Sequence, residues 1–297
     1  MAKGSRYKEN LDGKRRRGGV IAVVLIFLAG AVIFMSFDQT MGLSAYQVKH
    51  ENIPEAFDGF TIILIADYHS NISEDNERRL LDMIDKSQPD IIVIAGDMVD
   101  DTDGRAQALA RLEPLVIKLV ARAPVYAVSG NHDRWSNPAV YRDMLDMYRK
   151  HGVHVLEGAT EEIRRGGQRI SISGLPDPDI WSDHSGAAEY YDKEIGRIDL
   201  SAAYNILLFH RANLFPYIKG RGIHLVLAGH IHGGQVRLPF VGGLMGPRRE
   251  LFPKYDAGRF EEEDTTMIVS RGMADAGIGV PRIFNSPELV KIVLECK

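Results

Sequence analysis

The sequence predicts an α/β fold, a parallel sheet wrapped by helices, and three observations carry that prediction. Residues 60–66, 91–95 and 124–129 are apolar runs of strand length. Each breaks into a polar loop, and each is followed by a segment with apolar residues at helical spacing, so strand, loop and helix alternate three times. A chain of 297 residues with 45% hydrophobic content is also long enough to bury the core of one domain of about 250 residues.

Three segments precede that domain. Residues 1–17 carry Lys3, Arg6, Lys8, Lys14, Arg15, Arg16 and Arg17 against Glu9 and Asp12, a tail of +5 on a chain of net charge −4. The remainder is therefore acidic, which argues against nucleic acid as a partner, since that needs a basic face. Residues 18–37 hold no charge, and at about 1.5 Å per residue a helix of that length reaches roughly 30 Å, the thickness of a bilayer core. This run reads as a retained transmembrane helix, because it is longer than the apolar core of a cleaved signal and no convincing small-residue cleavage site follows. Positive charge lies ahead of it, and the first later lysine is Lys49. The expectation is a single-pass cell-membrane protein with its N-terminus in the cytoplasm and the following domain outside. Residues 38–59 read as a connector and 60–297 as the domain.

The run 60–66 ends in Asp67-Tyr68-His69. Side chains two apart on an extended segment point the same way, so Asp67 and His69 can grip one ion together. Residues 73–87 place Leu80, Leu81, Met83 and Ile84 among charges, a helix returning to the strand at 91–95. That strand runs into Gly96-Asp97, with Asp100 on the same loop. A carboxylate at a strand's carboxyl end sits where open α/β sheets bind ligands. An Asp after a Gly also caps helices, so this motif alone decides nothing. A second helix, 104 to about 122, aligns Leu109, Leu112, Leu115, Val116 and Leu119 as core. The run 124–129 breaks into Gly130-Asn131-His132-Asp133, and a helix follows over 138–151. Residues 153–156 and 161–175, with a Gly166-Gly167 turn, read as short strands or a hairpin opening a second sheet. The insert 176–197, with Trp181 and a helix from Ala187, carries no catalytic pattern. Residues 204–209 and 223–228 are buried strands ending in His210 and in Gly229-His230-Ile231-His232. Strands at 266–269 and 288–294 close the domain. The single cysteine, Cys296, excludes an intramolecular disulfide and a thiolate zinc site.

Five strand ends thus offer Asp67 with His69, Asp97, Asn131, His210, and His230 with His232. One histidine in such a place is usually a packed polar residue. Seven ligand-capable residues, each just after an apolar run, are not a chance pattern. They supply two carboxylates, one amide oxygen and four imidazoles, enough for two divalent metal ions with Asp97 shared between them. Oxygen and nitrogen without thiolate suit Mn, Fe, Zn or Co, and carry more imidazole than Ca or Mg sites hold. Two such ions outweigh two aspartates, so the centre favours an anionic ester. Paired metals roughly 3.5–4 Å apart clamp the attacking and leaving oxygens of an in-line displacement at phosphorus. His132 is not needed as a ligand and is the candidate acid for the leaving oxygen, with Asp100 placed to orient it.

The series Asp67-Tyr-His69, Gly96-Asp97-Met-Val-Asp100, Gly130-Asn131-His132-Asp133, His210 and Gly229-His230-Ile-His232 closely resembles the calcineurin-like metallophosphoesterases over roughly residues 60–295. The resemblance implies a four-layer α/β/β/α sandwich with a dinuclear site. It assigns Asp67, His69, Asp97 and His232 to one metal, and Asp97, Asn131, His210 and His230 to the other. His132 matches the family's leaving-group acid and Asp100 its partner. Residues 131–135, 229–240 and 252–256, with the N-terminal apolar run, look like the bacterial membrane-associated branch. That branch includes UDP-diacylglucosamine hydrolases of lipid A synthesis. Tyr68 stands where many relatives have Leu.

The resulting expectation is a membrane-anchored enzyme acting on a phosphate ester or pyrophosphate, lipid-linked or of UDP-diacylglucosamine type. The alternatives are hydrolysis of a soluble phosphodiester, with the anchor serving only to locate the domain, and a non-catalytic module that binds a partner at the membrane. Residues 233–264 leave directly from His232 and mix Phe240, Leu244, Leu251 and Phe252 with Arg248, Arg249 and Lys254. This segment is expected to form the substrate rim, with Arg248 and Arg249 meeting the substrate's phosphates. Packing of its aromatics on the second sheet accounts equally well for the apolar residues and less well for the arginine pair.

Overall fold

Strands that bury both faces need apolar residues almost throughout, and the central strands here have them: all of Thr61–Ile65, Ile91–Ala95, Val125–Val128 and Leu225–Gly229 is buried, with Thr61 at the strand start the one polar side chain. The computed structural model describes residues 30, 36–100, 105–178, 186–274 and 282–297. The chain divides into two units, 1–38 and 39–297. The basic tail, the uncharged run apart from Gly30, Ser36 and Phe37, and Trp181 lie outside the described residues. Among the described residues no helix is long and apolar enough to cross a membrane.

In chain order the elements are β1 (Gly42–His50), β2 (Thr61–Ile65), α1 (Glu74–Ser87), β3 (Ile91–Ala95), α2 (Arg105–Val120), β4 (Val125–Val128), α3 (Asn131–Trp135), α4 (Pro138–Lys150), β5 (His154–Val155), β6 (Ala159–Arg165), β7 (Gln168–Gly174), α5 (Ala187–Ile195), β8 (Asn205–Arg211), β9 (Leu225–Gly229), β10 (Arg237–Leu238), β11 (Gly242–Gly243), β12 (Gly258–Glu262), β13 (Thr265–Val269) and β14 (Glu288–Cys296). One six-stranded sheet has the order β1-β14-β2-β3-β4-β5 and the other β12-β13-β9-β8-β7-β6. In the first only β14 and β2 run antiparallel. In the second the antiparallel pairs are the edge hairpins β6–β7 and β12–β13.

Alternation of side chains along the strands sorts the apolar residues into layers. Ile62, Leu64 and Val93 face Ile206, Leu208 and Leu225 in a core between the sheets. Ile63, Ile65 and Ile92 turn the other way onto Leu80 and Ile84 of α1, Leu112 and Leu115 of α2, and Met144 of α4. On the far side Leu207, Val226 and Val269 pack against Tyr191 and Ile195 of α5. Helices, sheet, sheet and helices therefore make four layers. Local signals set the helix ends: the Ser73 side chain accepts from Asn76 N to cap α1, and Asn137 caps α4 with Pro138 at its first position.

Two expectations are corrected. Residues 38–59 are not a plain connector. They contain β1, which pairs in parallel with β14 from Gly42↔Glu288 to His50↔Cys296. Its burial alternates, with only Val48 fully inside, so it has no continuous apolar run to mark it. The short strands near residue 155 also divide between the sheets. β5 edges the first sheet beside β4, and only the β6–β7 hairpin, turning at Gly166 and Gly167, opens the second.

Candidate metal centre

The carboxyl ends of β2, β3, β4, β8 and β9 converge and bring together the residues singled out as ligands, His210 from the end of β8 itself and Asn131 from the start of α3. Asp67, His69 and His232 bring one ligand atom each to within 4.8 Å of one another, and Asp97, His210 and His230 do the same. All six are buried, as is Asn131. The loops are stitched together by backbone bonds: Asp67 N donates to Gly96 O (3.0 Å), His69 N to Asp97 O (3.1 Å), and Ala274 N to Asp67 O (2.9 Å).

Asp97 stands between the two groups. Its Oδ1 accepts from the backbone N–H of His132 at 2.8 Å. Its Oδ2 points the other way, 3.0 Å from His210 Nε2 and 3.9 Å from His69 Nε2. Because His210 Nδ1 bonds the carbonyl of Ala95 at 2.7 Å, that nitrogen carries the proton and Nε2 is left with a lone pair when the ring is neutral. Asp97 Oδ2, His210 Nε2 and Asn131 Oδ1 are buried acceptors without a hydrogen-bond partner among the described residues. Asp97 Oδ2 and His210 Nε2 lie 3.0 Å apart and within one ligand-sized group with His230, a buried cluster whose burial a cation would repay. In the other group His69 Nε2 and His232 Nε2 face each other at 3.3 Å, with Asp67 Oδ1 3.6 Å from the latter.

Without a cation, electrostatics favour the ligand form at four of these residues and the protonated form at Asp67 and His210. Burial holds His69 down to about 4 and pushes His230 and His232 well below the ordinary imidazole range, so these rings are neutral with lone pairs available. Burial acting alone would raise Asp97, but His210, His132 and His69 outweigh it and hold the carboxyl well below its usual range. Burial raises Asp67 to about 7. For His210 burial is outweighed by Asp97 and Asp67, and the ring rises to about 10. A cation in the centre would replace the proton that this pairing otherwise retains.

Asp67, His69, Asp97, His230 and His232 all have positive φ, between 48° and 80°. Non-glycine residues in this region cost on the order of 1–3 kcal/mol each and persist where surrounding structure over-determines them. Asp133 provides part of that constraint. Its buried carboxylate accepts from the backbone N–H groups of Asp97, Met98, Val99 and Gly130 at 2.8–3.0 Å, binding the β3 and β4 loops to each other. Sequence reading gave this residue no role. It also missed Arg211, whose guanidinium makes a bidentate pair with Asp177 at 2.7 and 2.8 Å and lies 5.4 Å from the centre of the Trp135 ring. No local signal marks a pair so distant in sequence. Asn285, likewise unassigned, donates to the carbonyls of His232 and Gln235 at 2.6 and 3.0 Å.

Glycines precede the ligands because their Cβ positions are taken. A methyl on Gly229 would lie 2.6 Å from Asp67 Oδ2 and 2.8 Å from Ala66 Cβ. Gly229→Ala is therefore expected to displace Asp67, lowering bound metal and cutting turnover about tenfold or more while costing roughly 1–3 kcal/mol of stability. Metal analysis beside a thermal melt checks this; unchanged metal content would show that Asp67 does not sense the clash.

A cavity of about 490 Å³ opens over the centre. Its walls include Asp97, Asn131, His132, Trp135, Arg211, His230 and His232 on one side and Gln235, Met245, Gly246, Pro247, Arg248 and Arg249 on the other. The expected rim segment does border the centre, and both Arg248 and Arg249 face the same space. The ring of His132 lies 4.8 Å from His69 and 5.5 Å from Trp135. Asp100, half-buried, is close enough to act on His69 electrostatically.

Comparison with known proteins agrees with this geometry. Residues 60–234 match the family model described as calcineurin-like phosphoesterase. The chain is 30% identical over 263 residues to an uncharacterized metallophosphoesterase of Aquifex aeolicus, covering 85% of this chain and 91% of that one. It is 28% identical over 258 residues to the uncharacterized metallophosphoesterase YkuE of Bacillus subtilis, covering 84% of each. A match of 24% over 289 residues to the Danio rerio "transmembrane protein with metallophosphoesterase domain" covers 94% of this chain and 63% of that protein.

Proposed function

This chain belongs to the calcineurin-like phosphoesterases, metal-dependent hydrolases of phosphoric esters, and from that premise we propose a membrane-anchored enzyme that cleaves a lipid-linked phosphate ester or pyrophosphate. The observation that carries the hydrolytic reading is the two-sided environment of Asp97, whose Oδ2 lies between two ligand groups while its Oδ1 is tied to the backbone of His132. In this reading Asp67, His69, Asp97 and His232 hold one divalent ion, and Asp97, Asn131, His210 and His230 hold the other. The donor set suits Mn, Fe, Zn or Co. Bound there, the ions supply positive charge against a phosphoryl group and favour in-line displacement at phosphorus. His132 borders the cavity and donates a proton to the leaving-group oxygen; Asp100 orients its ring and keeps it protonated.

Support for the membrane half comes from the uncharged run at 18–37 and from the extent of the match to a relative named as a transmembrane protein. Positive charge ahead of that run favours the N-terminus in the cytoplasm and the domain outside. UDP-diacylglucosamine-type pyrophosphates are made in the cytoplasm, so that substrate needs the opposite orientation; other lipid-linked phosphate esters do not. Arg248 and Arg249, on the cavity wall, are proposed to meet the substrate's phosphates. Converting both to alanine should reduce hydrolysis of a vesicle-borne phospholipid ester by about tenfold or more, the scale of two lost charge-assisted contacts. Bis(p-nitrophenyl) phosphate, too small to need the rim, should be hydrolysed at nearly the original rate. Equal rates on both substrates would return the rim to a packing role. Absence of bound metal and of any turnover would favour a non-catalytic module.

A further inference from the structure

Three phenylalanines stand exposed on turns that are hydrogen-bonded to the outer wall of the metal cavity: Phe240, fully exposed, Phe252 at 55% and Phe284 at 38%. All three have left-handed backbones, with φ of 67°, 55° and 51°. A bulky residue with positive φ is held there against its own preference, and here the constraint directs apolar rings to solvent. The turns share one scaffold. Arg237 N donates to Ile283 O (2.9 Å), Leu244 N to Val236 O (2.7 Å), and Phe252 N to Leu244 O (2.9 Å). Phe240 and Phe284 border one surface hollow with Leu238 and Val241, and Leu251 beside Phe252 is also exposed. The same scaffold continues into Met245–Arg249, the outer wall of the metal cavity.

We propose that Phe240, Phe252 and Phe284 dip into the bilayer interface and turn the mouth of the metal cavity toward the membrane surface. This rests on the membrane reading given above and adds to it a second contact, independent of the N-terminal run. Charge supports a lipid surface as the occupant. Arg249 is exposed, also in the left-handed region, and no carboxylate lies within ion-pair distance of it among the described residues. A cation flanked by apolar tips is the pattern that binds anionic headgroups and the acyl boundary together. Rings on three separate turns suit a deformable interface better than a flat protein surface, whose contacts need close shape complementarity. The uncharged run 18–37, if it holds the chain on a bilayer, keeps these rings at high effective concentration beside lipid.

The test uses the full chain with Cys296→Ser, so that Phe240→Cys, Phe252→Cys or Phe284→Cys carries the only thiol. Each is labelled with an environment-sensitive fluorophore and reconstituted into phosphatidylcholine–phosphatidylglycerol vesicles containing lipid spin-labelled near the headgroup. The expected result is blue-shifted, quenched emission at all three positions and neither at Lys118→Cys, on the exposed face of α2. Quenching no stronger than at Lys118 overturns the proposal. A blue shift that grows with protein concentration, without quenching by the lipid, means that another protein copy covers the rings, and also overturns it. Should labelling perturb the turns, unlabelled Phe240→Ser/Phe252→Ser serves instead. It should lose about tenfold or more on a vesicle-borne ester for each withdrawn ring that the interface had buried, with turnover of bis(p-nitrophenyl) phosphate unchanged; equal retention on both substrates overturns the proposal. Flotation with vesicles and soluble-diester turnover, read on the same samples, separate the failures. A chain that floats and hydrolyses but shows no quenching loses only this contact, whereas a chain that does not float loses the membrane reading with it.

Discussion

Asp97→Asn is expected to lower turnover by about 10²–10³-fold or more, the scale on which a preorganised charge acts in an active centre, and to reduce occupancy of both ions together. The two oxygens of Asp97 have separate duties. Oδ1 accepts from His132 N at 2.8 Å, a bond that an amide oxygen can keep. Oδ2 faces His210 Nε2 and His69 Nε2, so the amide places a neutral oxygen or an N–H where an anionic ligand is required. The fold should survive, because Asp133 anchors the same loop through the N–H groups of residues 97, 98 and 99. Metal analysis of the purified variant decides the matter: two tightly bound ions per chain would mean that Asp97 is not shared.

His132→Ala should leave both ions in place and still slow the reaction, by about 10²–10⁴-fold for alkoxide leaving groups, the usual contribution of a general acid. The hydrogen bond His132 gives Asp97 comes from its backbone N–H, which alanine retains; its ring adds an electrostatic pull on Asp97 that ranks behind that of His210, so the ligand cluster is not loosened. The imidazole, packed between His69 and Trp135, is the part removed. A p-nitrophenolate leaves without protonation and should suffer far less. Equal losses on the two kinds of leaving group would take His132 out of the acid's role.

The positions of the candidate ligands could be read from the sequence because each follows an apolar strand, and parallel strands end at one edge. That logic needs only local pattern, and it located Asp67, Asp97, Asn131, His210, His230 and His232 before any contact was known. It could not reach the left-handed backbones at five of the ligand positions, since nothing in the identity of an Asp or His announces positive φ. Nor could it reach Asp133, whose four amide partners are set by how two loops meet, or the Arg211–Asp177 pair, which only the packed second sheet creates. Strand β1 was hidden for a related reason. One of its faces is wet, its apolar positions are sparse, and its partner is the last strand of the fold. Residues 1–17 and most of 18–37 lie outside the described residues, so the tail and anchor stand as proposals.

The seating of β14 between β1 and β2 has a consequence for how the molecule is made. Two strands near the start of the domain can complete their ladder only after residues 288–296 have been synthesised. Until then β2 presents an open edge beside a fully apolar strand, the kind of surface that recruits other chains. Closing the first sheet joins residues at opposite ends of the domain, the long-range pairing that makes folding slow. The β2 edge therefore stays unpaired from the synthesis of residues 61–65 until residues 288–296 have been made.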